Sequence, residues 1–194
     1  MTAAEARGWT AERGQRLPGL GDDAMSPAAR EALGGWWPPF NIHRVLAHSP
    51  GTLSSWIGFG THILKGNTLG ERWRELVILR IAWNARCAYE WGQHAGLSAK
   101  LGIPEADIAR VAADPEADGW APVERALLAA TDQLMARTAV DDQTYAVLAE
   151  HLSPQQLVDY ALLVGEFVLI AMTLNLFRIE PDPGLRPLPP EPQA

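Results

Sequence analysis

The hydrophobic residues of this chain recur with helical spacing, and no segment alternates between apolar and polar residues as a half-buried strand does. Serine–proline pairs open several of the apolar runs. In Ser26-Pro27 and Ser153-Pro154 the serine can cap a helix and the proline fits its first turn. The pattern predicts nine helices, at about residues 28–33, 41–48, 50–65, 71–84, 86–101, 104–111, 122–136, 141–151 and 153–179. The predicted fold class is therefore all-α.

The predicted helices occupy residues 26–179, which we interpret as a single domain. The chain has 194 residues, of which 47% are hydrophobic, and this is enough for one core and short for two. Residues 1–25 mix glycine, alanine and charge, so we expect an extended N-terminal arm. Residues 180–194 are too rich in proline for a helix, so we expect an extended tail.

The last predicted helix is apolar around most of its circumference, which is more than one core-facing stripe requires. It carries Asp159 and Glu166, and its uncharged part, 167–174, is far shorter than the ~20 residues of a membrane span. We therefore expect no membrane association, and interpret this segment as a core or subunit-interface helix. A homo-oligomer is predicted, with an apolar surface around Leu162, Leu163, Phe167, Ile170 and Leu174.

The chain has a formal net charge of −7 and no run of lysine or arginine, which argues against a nucleic-acid partner. Small molecules and other proteins are the expected partners. The single cysteine, Cys87, excludes an internal disulfide and is typical of a reducing compartment. The first residues lack the apolar core of a signal peptide, so a cytoplasmic location is expected.

Reactive side chains cluster near the helix predicted at 86–101. Cys87, Glu90 and His94 are spaced i, i+3 and i+7, which puts them on one helix face. Glu90 can hydrogen-bond His94, fix its tautomer and raise its pKa, although surface Glu–His pairs share this spacing. Glu75 lies in the preceding apolar helix and must find a partner or take up a proton, because an unpaired buried charge is costly.

These residues resemble the signature of the carboxymuconolactone decarboxylase and alkylhydroperoxidase D superfamily: a glutamate, a gap, then Cys-x-x-Cys-x-x-x-His at the start of the next helix. Glu75, Cys87 and His94 match the glutamate, the first cysteine and the histidine. Glu90 takes the place of the second cysteine, as in the branch with Tyr-Glu-Trp before its histidine. The resemblance implies an alkylhydroperoxidase D-like helical bundle, a homo-oligomer from dimer to hexamer, and chemistry that needs no cofactor.

The resemblance favours a cofactor-free enzyme of the carboxymuconolactone decarboxylase type. In this hypothesis His94, held by Glu90 or Glu75, acts as an acid or base on a small organic acid or lactone. One alternative is an antioxidant like alkylhydroperoxidase, a peroxiredoxin-like activity that would use Cys87 with an external thiol. Another is a non-catalytic helical oligomer that binds a ligand.

Cys87 and three tryptophans are candidates for supporting roles. Cys87 is either a small core residue or a nucleophile whose pKa is lowered by a helix N-terminus and His94. The three tryptophans are expected to wall an apolar substrate pocket: Trp36, Trp37 and Trp91. No metal site is predicted, since no further ligands occur at clear spacing around Glu90 and His94.

Overall fold

A computed structural model describes residues 14–113 and 115–190 of the chain, and these contain nine α-helices and no strand. The helices are α1 (Pro27–Leu33), α2 (Asn41–Leu46), α3 (Pro50–Lys65), α4 (Glu71–Asn84), α5 (Ala88–Lys100), α6 (Glu105–Arg110), α7 (Pro122–Arg137), α8 (Asp142–His151) and α9 (Pro154–Phe177). The all-α fold class predicted from the hydrophobic spacing is confirmed.

The turn between α4 and α5 differs from its prediction. Arg86 has a left-handed backbone with φ of 52°, and Cys87 is extended, so α5 begins at Ala88 instead of residue 86. The chain therefore reverses within a few residues, and α5 returns along α4. This tight reversal sets Glu75 of α4 opposite His94 of α5.

Helix α4 lies at the centre of the fold, buried continuously from Arg74 to Ala82. Helices α5, α7 and α9 pack around it. Its buried charges are matched: Arg80 donates two hydrogen bonds of 2.7 Å to Asp132 on α7. Because close-packed interiors resist displacement, α4 is a rigid support for any side chain that it presents to a site.

The segments on either side of the domain lie against it where the structure describes them. In the arm, the Arg16 N–H donates to the carbonyl of Phe177 at 2.8 Å, while residues 1–13 lie outside the described residues. The tail crosses α5 at Gly92, where an added Cβ would be 2.8 Å from Leu185 Cβ. Glycine is therefore required at this crossing, and the tail becomes part of the wall of the cavity described below.

Helix α9 has two apolar faces. Leu163, Phe167 and Leu174 face the core, so these residues of the predicted interface are buried within the subunit. The other face is exposed and consists of Val158, Leu162, Leu169, Met172 and Leu176. Among the described residues, α9 is the one helix long and apolar enough to cross a membrane, but half of its most apolar window is buried inside the protein, as in a core helix.

We propose that the exposed face of α9 packs against another copy of this chain. Its residues follow steps of four, seven, three and four, the spacing of a helix-packing stripe. Light scattering at micromolar concentration is expected to show a dimer or larger assembly, which Met172→Lys together with Leu169→Lys converts to smaller species. Gln155→Lys, at an exposed polar position on the same helix, is the matched control. A wild-type monomer would contradict the proposal.

Candidate active site

A cavity of about 510 Å³ lies between α2, α3, α5, α9 and the tail. This volume is in the range of small-molecule sites, which are typically ~300–1,000 Å³. Its wall is mainly apolar, with aromatic rings from Trp36, Phe40, Trp56 and Phe167. Polar side chains also reach it, among them His43, Glu90, Gln93, His94 and Glu166.

His94 is held in this wall by Glu75. The His94 Nδ1 and Glu75 Oε2 atoms are 2.7 Å apart, and Glu75 is fully buried. The other carboxylate oxygen of Glu75 accepts a hydrogen bond of 3.1 Å from Arg74 Nε. Burial acts to raise the pKa of Glu75, but its contacts with His94 and then Arg74 outweigh this and lower the pKa. Glu75 is therefore ionised at neutral pH.

The contact with Glu75 fixes the tautomer of His94. An ionised carboxylate accepts only, so the Nδ1–H donates and Nε2 carries the lone pair. Nε2 makes no hydrogen bond to a described residue, and the ring lines the cavity. The ring of Phe167 meets the imidazole edge to face, with centroids 5.1 Å apart and planes at 88°. His94 is thus an oriented base whose free nitrogen is available to a ligand.

Glu90 does not bind His94, which corrects the predicted pairing at i, i+4. Among the described residues, no N–H or O–H donor reaches either of its oxygens, the side chain is fully buried, and the weak S–H donor of Cys87 lies beside it. Burial raises the pKa of Glu90 well above its usual range; the Cys87 thiol opposes this and nearby Glu166 adds to it. The Glu90 carboxyl is therefore un-ionised at neutral pH and can donate a hydrogen bond. The sequence indicates apolar surroundings for Glu90, but it does not show that the carboxyl lacks a charged partner.

Cys87 is a core residue in this structure. It caps α5 but is only 1% exposed, packed with Ile42, Tyr89 and Ala171. Burial raises the pKa of the thiol well above its usual range, and the neighbouring Glu90 adds to this rise. The expected lowering of the pKa by the helix N-terminus is therefore wrong, because desolvation outweighs the helix dipole at a sealed position.

The three tryptophans predicted to wall the pocket have different positions. Trp36 lines the cavity. Trp37 does not; its ring is 45% exposed, with the Arg30 guanidinium 5.8 Å from its centroid. Trp91 does not either, because it turns into the core against Trp83, with ring centroids 6.3 Å apart. Helical spacing alone does not reveal which neighbouring helix receives a large ring.

Two cavity residues were missed by sequence reasoning. Glu166 of α9 is buried, and its position within an apolar run was the signal that could have identified it. His43 of α2 is also buried, and its Nδ1 accepts a 3.3 Å hydrogen bond from the Phe40 N–H. Burial lowers the pKa of His43 to about 4, although Asp182 opposes this, so the ring is neutral with its proton on Nε2. No local sequence signal distinguishes His43 from the other histidines.

The described residues hold no group of three or more His, Cys, Asp or Glu side chains arranged to bind a metal ion. The polar groups of the cavity are instead set up for proton chemistry. An imidazole oriented by a carboxylate and an un-ionised carboxyl group line the same cavity, which is an arrangement that can supply a base and a hydrogen-bond donor.

Comparisons with known proteins agree with this fold. Residues 50–133 match the model of the carboxymuconolactone decarboxylase family. The uncharacterized protein YdfG of Bacillus subtilis (strain 168) is 28% identical over 104 residues, which is 53% of this chain and 71% of that protein.

Two solved structures share the architecture. An uncharacterized peroxidase-related protein of Ralstonia eutropha JMP134, with an alkylhydroperoxidase AhpD core, has a TM-score of 0.75 at 20% identity over 87% of this chain and 93% of its own. The debrominase Bmp8, in complex with 2,3,4-tribromopyrrole, has a TM-score of 0.72 at 12% identity, covering 88% of this chain and 93% of its own. At these identities the structures support the fold alone. The family match over residues 50–133, together with this shared fold, supports the carboxymuconolactone decarboxylase and alkylhydroperoxidase D-like superfamily.

Proposed function

We propose that this protein is a cofactor-free enzyme that catalyses proton transfer on a small organic acid or lactone. The observation that carries the proposal is the 2.7 Å contact between Glu75 Oε2 and His94 Nδ1 in the cavity wall. This contact leaves Nε2 as a base facing a site that is mostly apolar, where a proton-transfer catalyst is protected from water.

The side chains suffice for a balanced reaction. His94 Nε2 takes the proton from a carbon next to the substrate's carbonyl group, and the electron pair of that C–H bond forms the enolate. The negative charge appears on the carbonyl oxygen, where the un-ionised Glu90 can donate a hydrogen bond. Glu75 stabilises the imidazolium that forms. Return of the proton from His94 to a carbon of the enolate completes an exchange or an isomerisation.

Decarboxylation would use the same groups. The bond between the carbon and its carboxylate breaks, carbon dioxide leaves, and the electron pair enters the same enolate. A proton that His94 Nε2 has first taken up from water is then delivered to that carbon and replaces the lost carboxylate. A lactone or ketone carbonyl is the electron sink that this step needs, so the substrate itself supplies what a cofactor would otherwise provide.

The structure does not favour the thiol peroxidase alternative. Cys87 is sealed in the core with a raised pKa, and the position of the second thiol is occupied by Glu90. A peroxide-reducing cysteine needs an accessible thiolate, and the environment of Cys87 opposes both requirements. The non-catalytic alternative predicts binding in the cavity without turnover.

Hydrogen–deuterium exchange tests the proposal. We expect the enzyme in D₂O to replace protons next to the carbonyl of α-angelica lactone or 4-phenylbutan-2-one faster than buffer alone, as followed by proton NMR. Consumption of cumene hydroperoxide with dithiothreitol is measured in parallel. Exchange at the buffer rate would contradict proton-transfer catalysis, and Cys87-dependent peroxide consumption would then favour the peroxidase.

A further inference from the structure

The cavity contains a second carboxyl group that the proposed mechanism does not use. Glu166, on α9, is 5% exposed and lines the cavity together with Glu90. Its Oε1 atom has no hydrogen-bond partner among the described residues, as is the case for both oxygens of Glu90. Three buried carboxyl oxygens therefore lack partners in one cavity. Since buried polar groups are almost always hydrogen-bonded in native proteins, these atoms point to a ligand.

No basic side chain in the described part of the chain pairs with either carboxyl. Two basic residues reach the cavity. Lys100 is solvent-exposed, and Arg186 already holds Glu105 through hydrogen bonds of 2.7 and 2.8 Å. An ionised carboxylate without a cation costs several kcal/mol or more in an apolar site, so the protonated form is favoured for both groups.

The electrostatic environment agrees with protonated carboxyls. Burial raises the pKa of Glu166, and the nearby Trp56 indole N–H opposes this only in part. The charge of Glu166 in turn adds to the raised pKa of Glu90. Two adjacent carboxylates repel each other, and this makes simultaneous ionisation still less favourable. Glu90 is therefore a hydrogen-bond donor, and burial beside it, without a cation, favours the protonated, donating form of Glu166 as well.

The neutral His43 ring adds another uncharged hydrogen-bond donor to the cavity. Its Nδ1 accepts the Phe40 N–H, which puts the proton on Nε2, and Nε2 has no described partner. The ring lies 5.7 Å from the Trp56 ring, and Trp56 in turn lies beside Glu166. Glu90 and His43 thus give this cavity two neutral donors, and the protonated form of Glu166 adds a third.

We propose that Glu166 and Glu90 together bind the carbonyl oxygen of the substrate, and that the substrate is uncharged at that end, as a ketone, ester or lactone is. This inference rests on the proposed function and narrows its substrate class. Glu166 becomes a second catalytic residue, because its O–H meets the oxygen on which the enolate charge develops. A protonated carboxyl in an apolar site can serve this role without changing its own charge.

The same groups discriminate against charged ligands. A carboxylate at this end would be a buried anion with no cation, which carries a desolvation penalty of several kcal/mol. An ammonium group would require at least one carboxyl to ionise beside the other. A neutral carbonyl oxygen accepts both O–H donors with no change of charge. Its hydrogen bonds then strengthen as the enolate forms, which favours the transition state over the ground state.

Three ligands of matched shape test the proposal by titration calorimetry at pH 7.5: 4-phenylbutan-2-one, 3-phenylpropanoate and 3-phenylpropylamine. We expect the ketone to bind at least about tenfold more tightly than either charged ligand, a ratio that corresponds to ~1.4 kcal/mol. Glu166→Leu removes a donor and is expected to weaken ketone binding about tenfold, as the loss of one hydrogen bond does. Glu166→Gln keeps N–H donors and is expected to bind the ketone within about threefold of wild type.

The control is Glu150→Leu, which removes an exposed glutamate away from the cavity and is expected to leave binding unchanged. Thermal denaturation of each variant shows whether it is folded, and Glu166→Gln keeps the test decisive if Glu166→Leu does not fold. Equal binding of ketone and carboxylate, tightest binding of the amine, no binding of any ligand at millimolar concentration, or full ketone binding by a folded Glu166→Leu protein would each overturn the proposal.

The His94→Gln variant separates this inference from the proposed function. Binding selectivity requires no turnover, so we expect the ketone preference to persist in that variant. Selectivity without proton exchange in the wild type would contradict the proposed catalysis alone. Proton exchange without selectivity would contradict the roles of Glu166 and Glu90 in binding.

Discussion

His94→Gln is expected to lower the rate of proton exchange by roughly 10²–10⁴-fold, the range that a positioned general base contributes. Glutamine can still occupy the volume of the imidazole and accept or donate a hydrogen bond, but it cannot take up the substrate proton near neutral pH. The loss should appear in kcat, whereas binding of 4-phenylbutan-2-one should stay within a few-fold, because the base acts on the transition state.

Cys87→Ser, at the N-cap of the same helix, is the matched comparison. The thiol is buried with a raised pKa and takes no part in the proton path, so exchange is expected to remain within about a few-fold of wild type. Cys87→Ala serves the same purpose if serine perturbs the core. A folded Cys87 variant that loses exchange as completely as His94→Gln would contradict the acid–base mechanism and restore the thiol to the active site.

The helices of this chain can be predicted because their ends are encoded locally. Ser26 and Ser153 cap their helices as expected, with side chains that accept hydrogen bonds from the third residue beyond. The exceptions are Arg86, Thr138 and Arg178, non-glycine residues that adopt left-handed conformations at helix boundaries. Packing imposes these conformations against the local preference, so composition and periodicity do not show them.

The site was accessible to sequence reasoning only in part. Glu75 and His94 follow from a buried carboxylate and a short connection between two helices, and the structure brings them together. Helix packing determines whether Glu90 or Glu75 holds the imidazole. The sequence spacing of Glu90 and His94 gives no information about that packing. Glu166 lies 72 residues after His94 in the sequence and reaches the cavity from a different helix, so its place there depends on tertiary structure alone.

The charge states of Glu75 and Glu90 should be visible as opposite effects of the same substitution to glutamine. The pKa of Glu75 is lowered by its contacts, so its ionised form stabilises the fold above the ordinary glutamate pKa of 4.5, and this contribution is lost as the pH falls through the lowered value. Glu75→Gln is therefore expected to reduce the free energy of unfolding at pH 7.5 by about 2–3 kcal/mol, as for the loss of buried hydrogen bonds to a charged group. The effect should shrink in acid.

The Glu90→Gln substitution is expected to change the free energy of unfolding in the opposite direction, because the pKa of Glu90 is raised in the folded state. Its carboxyl keeps a proton that the unfolded chain releases above pH 4.5, so the wild-type protein loses stability as the pH rises from there toward the folded pKa. Glutamine is neutral at every pH and removes this loss. Glu90→Gln is expected to stabilise the protein at pH 7.5, by about 1.4 kcal/mol for each pH unit above 4.5 over which the folded carboxyl keeps its proton. The gain should disappear near pH 4.5.

Urea denaturation at pH 7.5 measures both effects, with Glu150→Gln as the exposed control that changes little. A second series at pH 4.5 tests the loss of the Glu90 gain, and a third below pH 4.5 tests the decrease of the Glu75 effect. If Glu90→Gln destabilised the protein at pH 7.5 as Glu75→Gln does, Glu90 would be an ionised and paired group, and its role as a hydrogen-bond donor to the enolate would be wrong. If both variants show the expected signs, a charged carboxyl, Glu75, lies behind the His94 imidazole, and a neutral carboxyl, Glu90, lines the cavity. That difference is what allows a single imidazole to act as a base while a carboxyl group stabilises the developing oxyanion.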